Sequence, residues 1–225
     1  MTAFDFLTIG HSNIAAERFV ALLRAAEVSA IADVRSTPFS RFCPWFSAKP
    51  LAALLANNDI DYLPCGDALG GRPQSAALYC DGVADYAAMA RQPVFIAGLE
   101  RLIRDAARRR AHGNASGNSF GRVCLMCAER EPLDCHRCLL LAPALAARGF
   151  AVGHILHDGA IEPHGATERR LLELQPADTD GPDLFAAGDG LAPGQDARMA
   201  AAYRRRARAV AYRMKGATVR SRRSR

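Results

Sequence analysis

The chain alternates between two hydrophobic periods, and that alternation restricts its fold more than any other feature. Short apolar runs at 6–9, 30–34, 60–63, 123–127 and 151–156 read as strands. Helical spacing fills the intervals. Residues 15–26 place Phe19, Leu22, Leu23 and Ala26 on one face, and 51–56 suit a short helix. The stretch 84–110 is helical with an interruption near Pro93, 133–148 closes at Gly149, and a short helix covers 167–174. Strands alternating with helices predict an α/β fold: one domain over residues 1–174, with a mainly parallel sheet of about five strands and helices on both faces.

Composition changes sharply after that domain. Residues 175–196 hold five Asp, four Gly and three Pro and read as an acidic linker. All 23 acidic residues lie at or before Asp196, with 18 of the 29 basic ones, so residues 1–196 are mildly acidic. Residues 197–225 carry 11 basic residues and no acid. Arginines at 198, 204, 205, 206, 208 and 213 leave no clean apolar face, which predicts a conditionally ordered basic tail suited to polyanion contact. Seven cysteines, an odd number, and no signal-peptide pattern point to free thiols and a cytoplasmic protein. No apolar run approaches the ~20 residues of a membrane helix, so no membrane contact is expected.

In a parallel sheet, ligands bind outside the carboxyl ends of the strands. The residues that follow each predicted strand are therefore informative. His11 and Ser12 follow the first, and Asp33 and Arg35 end the second, ahead of Ser40 and Arg41. The strand at 123–127 runs into Cys127 and Glu129, and the next helix opens with Cys135, His136 and Arg137. These groups converge on one edge of the sheet.

The segments Thr8-Ile9-Gly10-His11-Ser12, Asp33-Val34-Arg35-Ser36-x-Pro38-x-Ser40-Arg41, Leu69-Gly70-Gly71, Met126-Cys127-Ala128-Glu129 through Cys135-His136-Arg137, and Gly153-His154-Ile155 carry a resemblance. They resemble, in order over roughly residues 5–165, the bacterial domain-of-unknown-function family number 488. The resemblance implies a fold and a site, and no activity.

The chemistry of those residues supports three classes of function. Arg35, Arg41 and Arg137 suit a cradle for phosphate or carboxylate, Arg137 from the first turn of a helix. The alternative is that they brace loops through Asp33, Glu129 or Asp134. Cys127 or Cys135 could serve as nucleophile, with Glu129, His136 and His11 moving protons and Ser12, Asp33 and Ser40 in support. A small enzyme acting on a phosphate-bearing small molecule or nucleic acid is the leading expectation. A non-catalytic nucleotide- or nucleic-acid-binding module and a thiol redox sensor are the others. No cofactor is expected. Cys124, Cys127, Cys135 and Cys138 have the outline of a four-thiolate zinc site, but residues three apart on a strand point to opposite faces.

Overall fold

The computed structural model describes residues 4–112, 121–174 and 195–214. The chain enters as β1 (Phe6–Gly10), crosses through α1 (Ala16–Ala25) to β2 (Val28–Asp33), and continues through α2 (Ala48–Ala56) to β3 (Asp61–Pro64). A single turn, α3 (Gly66–Leu69), leads to a small hairpin of β4 (Tyr79–Cys80) and β5 (Val83–Ala84). Helices α4 (Tyr86–Ala90) and α5 (Pro93–His112) follow, separated where Pro93 was expected to interrupt. The second half comprises β6 (Arg122–Cys127), α6 (Ala142–Ala146), β7 (Val152–Ile155), β8 (Ile161–Pro163), α7 (His164–Glu173) and α8 (Gln195–Val210).

The fold is α/β, and its sheet has six strands in the order β3-β2-β6-β1-β7-β8. The first five are parallel; β8 pairs antiparallel with β7. The sixth strand escapes sequence reading because three residues, Ile-Glu-Pro, are too few to display a period. Alternate residues of β6 serve two cores. Cys124 and Met126 face α1 and α2 with Leu7, Ile9 and Ile31, whereas Val123, Leu125 and Cys127 face α5 and the later helices with Phe6, Ala30 and Ala32. No described helix is long and apolar enough to cross a membrane.

Two segments depart from expectation. The helix anticipated over 133–148 is broken into a 3-10 turn (Pro132–Asp134), a π-helical turn (Arg137–Leu141) and α6. Pro143 has no N–H to give the Leu139 carbonyl, and the wider turn before it absorbs that defect. The second departure is at the basic tail. Residues 195–210 form α8, with Ala202 buried and Met199, Tyr203, Ala207 and Val210 packed on the core, and Ala211 is buried immediately after it. The apolar stripe of α8 mixes alanines with Met199, Tyr203 and Val210 between arginines, and hydropathy alone underrates it. Beyond the helix, the Ala84 N–H donates to the Tyr212 carbonyl (2.9 Å) and the Met214 N–H to the Gly82 carbonyl (2.8 Å), anchoring the chain on the β4–β5 hairpin. The linker expected at 175–196 lies, up to residue 194, outside the described residues, as do residues 215–225.

Docking of α8 therefore contributes to stability. Ala202→Glu, which forces a carboxylate into a fully enclosed position, should cost about 2–3 kcal/mol in urea denaturation and expose the C-terminal segment to protease. An unchanged midpoint would mean that α8 does not hold to the body in solution.

Candidate functional site

Because β2, β6 and β1 are adjacent and parallel, the loops leaving their carboxyl ends meet. They surround a cavity of about 440 Å³. Cys127, Glu129, Cys135 and His136 line it, together with His11, Arg35 and Ser40. Asp134, Tyr86, Gly71, Arg72 and Tyr212 complete the enclosure from later elements.

Cys127 is the last residue of β6, and Cys135 and His136 immediately precede the π-helical turn, so an eight-residue excursion returns the chain to its own starting point. Glu129 sits between the two thiols. Cys127 donates to Glu129 Oε2 at 2.8 Å and Cys135 donates to the same oxygen at 3.1 Å. His136 Nδ1 lies 3.6 Å from Cys127 Sγ and 3.7 Å from Cys135 Sγ. The opposite ring nitrogen of His136 faces the Val34 carbonyl at 3.0 Å. A carbonyl only accepts, so this contact puts the Nε2 proton in place and directs Nδ1 at the sulfurs.

The two thiols are driven apart. Burial raises Cys127, and its hydrogen bond and charge contact with Cys135 raise it further. Burial acts on Cys135 in the same sense, but the hydrogen bond with Cys127 and the charges of Arg137 and His136 outweigh it and hold Cys135 well below the ordinary thiol value. Glu129 is exposed on its cavity side, yet its carboxyl end is wedged among the sulfurs, and burial followed by the Cys135 charge raises it. Burial would lower His136; contact with Cys135 reverses that and raises it. A group with these properties can act as a nucleophile with its proton carriers, form a disulfide, or hold a soft or borderline metal.

Beside it stands a closed network. Arg35 grips Asp33 with both edges, Nε to Oδ1 at 2.8 Å and NH2 to Oδ2 at 2.6 Å, while Tyr62 donates its hydroxyl to Oδ2 at 2.8 Å. Arg35 NH1 donates to His11 Nε2 at 3.1 Å, and His11 Nδ1 donates to the Ser12 carbonyl at 2.8 Å. The His11 ring also stacks on Phe46, with centroids 4.3 Å apart. Both ring nitrogens of His11 are thus engaged, one by Arg35 and one by the Ser12 carbonyl.

Other expected site residues are placed differently. Arg137 does not reach the cavity as an anion ligand: it is fully buried, donating to the Glu129 carbonyl at 2.7 Å and the Arg130 carbonyl at 2.9 Å, with Nε unpartnered. It braces the Cys127–Cys135 loop through main-chain oxygens. Asp134 pairs instead with Arg206 of α8. Arg41 is exposed, its guanidinium 6.0 Å from the Phe42 ring, and it does not line the cavity. Ser12 lies outside it as well and donates to Asn13 Oδ1 (3.3 Å); Ser40 lines it, and its hydroxyl accepts from the Cys43 N–H. The four-thiolate zinc arrangement is not formed, since Cys124 faces the opposite core and Cys138 lies near His154 and His164.

Among described residues two sets could hold a metal: Cys127, Glu129, Cys135 and His136, and Cys138, His154 and His164. In the second set the histidines bond to each other at 3.0 Å, with Thr8 (2.8 Å) and Tyr203 (3.0 Å) taking the remaining nitrogens. Sequence reading missed Arg72, whose guanidinium lies 4.8 Å from the Tyr212 ring at the cavity rim. The Leu69-Gly70-Gly71 motif before it is the signal: a Cβ on Gly71 would stand 2.8 Å from the His136 ring, and one on Gly10 only 1.7 Å from the Glu129 carbonyl oxygen.

The family profile described as Domain of unknown function DUF488 matches residues 15–142. The chain belongs to this family. The DUF488 match takes in Asp33 to Arg35, the Gly70-Gly71 turn and Cys127 to Arg137, and it begins after His11 and Ser12. No curated protein and no solved structure matches the chain.

Two outcomes follow from this geometry. Arg137→Met, which keeps much of the volume but removes two charge-assisted hydrogen bonds, should cost about 3 kcal/mol in chemical denaturation. A change below ~1 kcal/mol would contradict the bracing role. For His11, burial, reinforced by the Arg35 charge, pushes the ring down to about 4 from 6.5. The unfolded chain therefore takes up this proton first as pH falls. Stability from neutral His11 is fully present above about pH 6.5 and is lost towards pH 4, up to ~3 kcal/mol in all. His11→Gln should narrow the stability difference between pH 7 and pH 5 relative to the parent; identical pH slopes would refute the assignment.

Proposed function

We propose that this DUF488 protein is a small enzyme that takes a phosphate-bearing substrate into the cavity at the strand carboxyl ends. One observation carries the reading: cationic groups and a reactive group share one cavity. Arg72 stands at the rim, Arg35 on the wall with its charge paired to Asp33, and Cys127, Glu129, Cys135 and His136 on the floor. A guanidinium held by its face against Tyr212 keeps its N–H edge for an oxyanion, the geometry that favours Arg over Lys in phosphate recognition. Arg198, Arg204, Arg205 and Arg208 lie on the exposed side of α8, which runs to the cavity rim at Val210 and Tyr212 and supports a nucleotide or nucleic acid as the substrate class. The floor supplies the reacting groups: a carboxyl held between two sulfurs passes protons over a short path, and the imidazole is oriented from behind.

The test uses nucleosides and their mono-, di- and triphosphates in equilibrium binding, followed by analysis of the recovered ligand. Nucleotides should bind more tightly than nucleosides, and Arg72→Ala should weaken nucleotide binding ~10-fold or more without changing the melting point. The recovered ligand should be chemically altered by the parent protein and unaltered by Cys135→Ser. Equal binding of nucleoside and nucleotide would remove the phosphate reading. Tight binding with the ligand returned intact by the parent protein would replace the enzyme with a binding module.

A further inference from the structure

The floor of the cavity has the geometry of a metal site, and that geometry is independent of what the cavity binds. Ligand atoms from Cys127, Glu129, Cys135 and His136 all lie within 4.8 Å of one another. For a tetrahedral centre with metal–sulfur and metal–nitrogen bonds of about 2.3 and 2.0–2.1 Å, neighbouring S and N ligands are separated by roughly 3.6 Å. The two Sγ–Nδ1 separations here are 3.6 and 3.7 Å.

The supporting shell is also what a metal ligand set requires. His136 is fixed from behind by the Val34 carbonyl at 3.0 Å, which leaves the Nδ1 lone pair for the centre. The Arg137 backbone N–H points at Cys135 Sγ over 3.5 Å, a donor that suits a metal-bound thiolate. The loop carrying both sulfurs is clamped by the Arg137 guanidinium, so the ligands are preorganised. Glu129 Oε2 is nearer the sulfurs than a ligand oxygen would be, at 2.8 and 3.1 Å, because protons shared between the carboxyl and the sulfurs hold it there. Replacing those protons by a metal frees the carboxylate, which faces the cavity, to take the fourth position or to accept from a water there.

We infer that Cys127, Cys135 and His136 bind one divalent metal ion of the zinc class, with Glu129 completing the set on the cavity side. Two thiolates and an imidazole select a borderline-soft cation over magnesium or calcium, which take oxygen ligands. The protons that the thiols, Glu129 and His136 share in the metal-free site pass to solvent, so the ion exchanges for protons and no electron moves. The side that Glu129 completes faces the cavity, so a water or substrate atom there could displace the carboxylate and leave three protein ligands, as in catalytic zinc sites. This inference goes beyond the phosphate reading and survives its failure, since the ligands are present whatever the cavity admits.

The experiment uses the full-length reduced protein, stripped with chelator and titrated with Co²⁺ and then Zn²⁺. One equivalent of Co²⁺ should give a thiolate charge-transfer band and the intense visible bands of a tetrahedral centre, both removed by one equivalent of Zn²⁺. Cys127→Ser, Cys135→Ser and His136→Gln should each weaken binding ~100-fold or more, with circular dichroism reporting their folding. Cys124→Ser and Cys138→Ser should bind as the parent does. X-ray absorption of the zinc-loaded parent needs no variant to fold, and should show two sulfur and two nitrogen or oxygen neighbours. No cobalt spectrum at stoichiometric metal, four sulfur neighbours, or equal loss in the Cys124 and Cys138 variants would overturn the proposal. Nucleotide binding in the metal-free protein reports separately on the phosphate reading.

Discussion

The burial of the Arg137 guanidinium is the constraint on which the rest of the site depends. A fully enclosed cation must be compensated. Here two main-chain carbonyls, those of Glu129 and Arg130, do it by accepting from the guanidinium at 2.7 and 2.9 Å. The loop between Cys127 and Cys135 consequently has one place to be. Gly10 is the counterpart on β1: a Cβ there would meet the Glu129 carbonyl at 1.7 Å and the Arg137 guanidinium at 3.0 Å. The close approach of β1 to this loop, and with it the alignment of both cysteines, needs a residue without a side chain.

Two polar networks share the carboxyl edge of the sheet, and their difference separates scaffold from chemistry. Asp33, Arg35, His11 and Tyr62 satisfy one another almost completely. A bidentate buried pair of this kind is costly to break, and its worth lies in the geometry it imposes on the β2 loop. Cys127, Glu129, Cys135 and His136 are different. Their protons are shared among acceptors of unequal strength, one sulfur is held low and the other high, and the carboxyl oxygen between them opens onto a cavity. Such a group is poised to exchange its protons for something else.

Much of this was legible in the sequence for one physical reason: buried parallel strands are short uniform apolar runs, and polar residues just past them lie at one edge. That logic reaches His11, Asp33, Arg35, Cys127 and Glu129. It fails on the arginines, because position does not reveal whether a guanidinium turns inward. Arg137 follows the His136 position by one residue, yet the π-helical turn directs it into the core, and Arg35 spends its donors on Asp33 and His11. At the cavity rim the arginine with a free edge is Arg72, which is reached from β3 by way of the α3 turn rather than standing directly at a strand end. Its place depends on Gly70 and Gly71 allowing the turn to pass against Ser36 and His136. Contacts of that kind are fixed by three-dimensional clearance and have no period to read.

The C-terminal segment belongs to the site for the same reason. Tyr212 carries the ring on which Arg72 lies, and it is positioned by its own carbonyl on the Ala84 N–H. Arg206 neutralises Asp134 at the cavity wall and donates to the Leu133 carbonyl at 3.1 Å. Without that pairing, Asp134 would add a carboxylate to a cavity that already holds Glu129 and would oppose any anionic ligand. A basic stretch that composition marks as a tail thus sets the charge of the cavity and the place of its exposed cation, even though it supplies none of the groups on the floor.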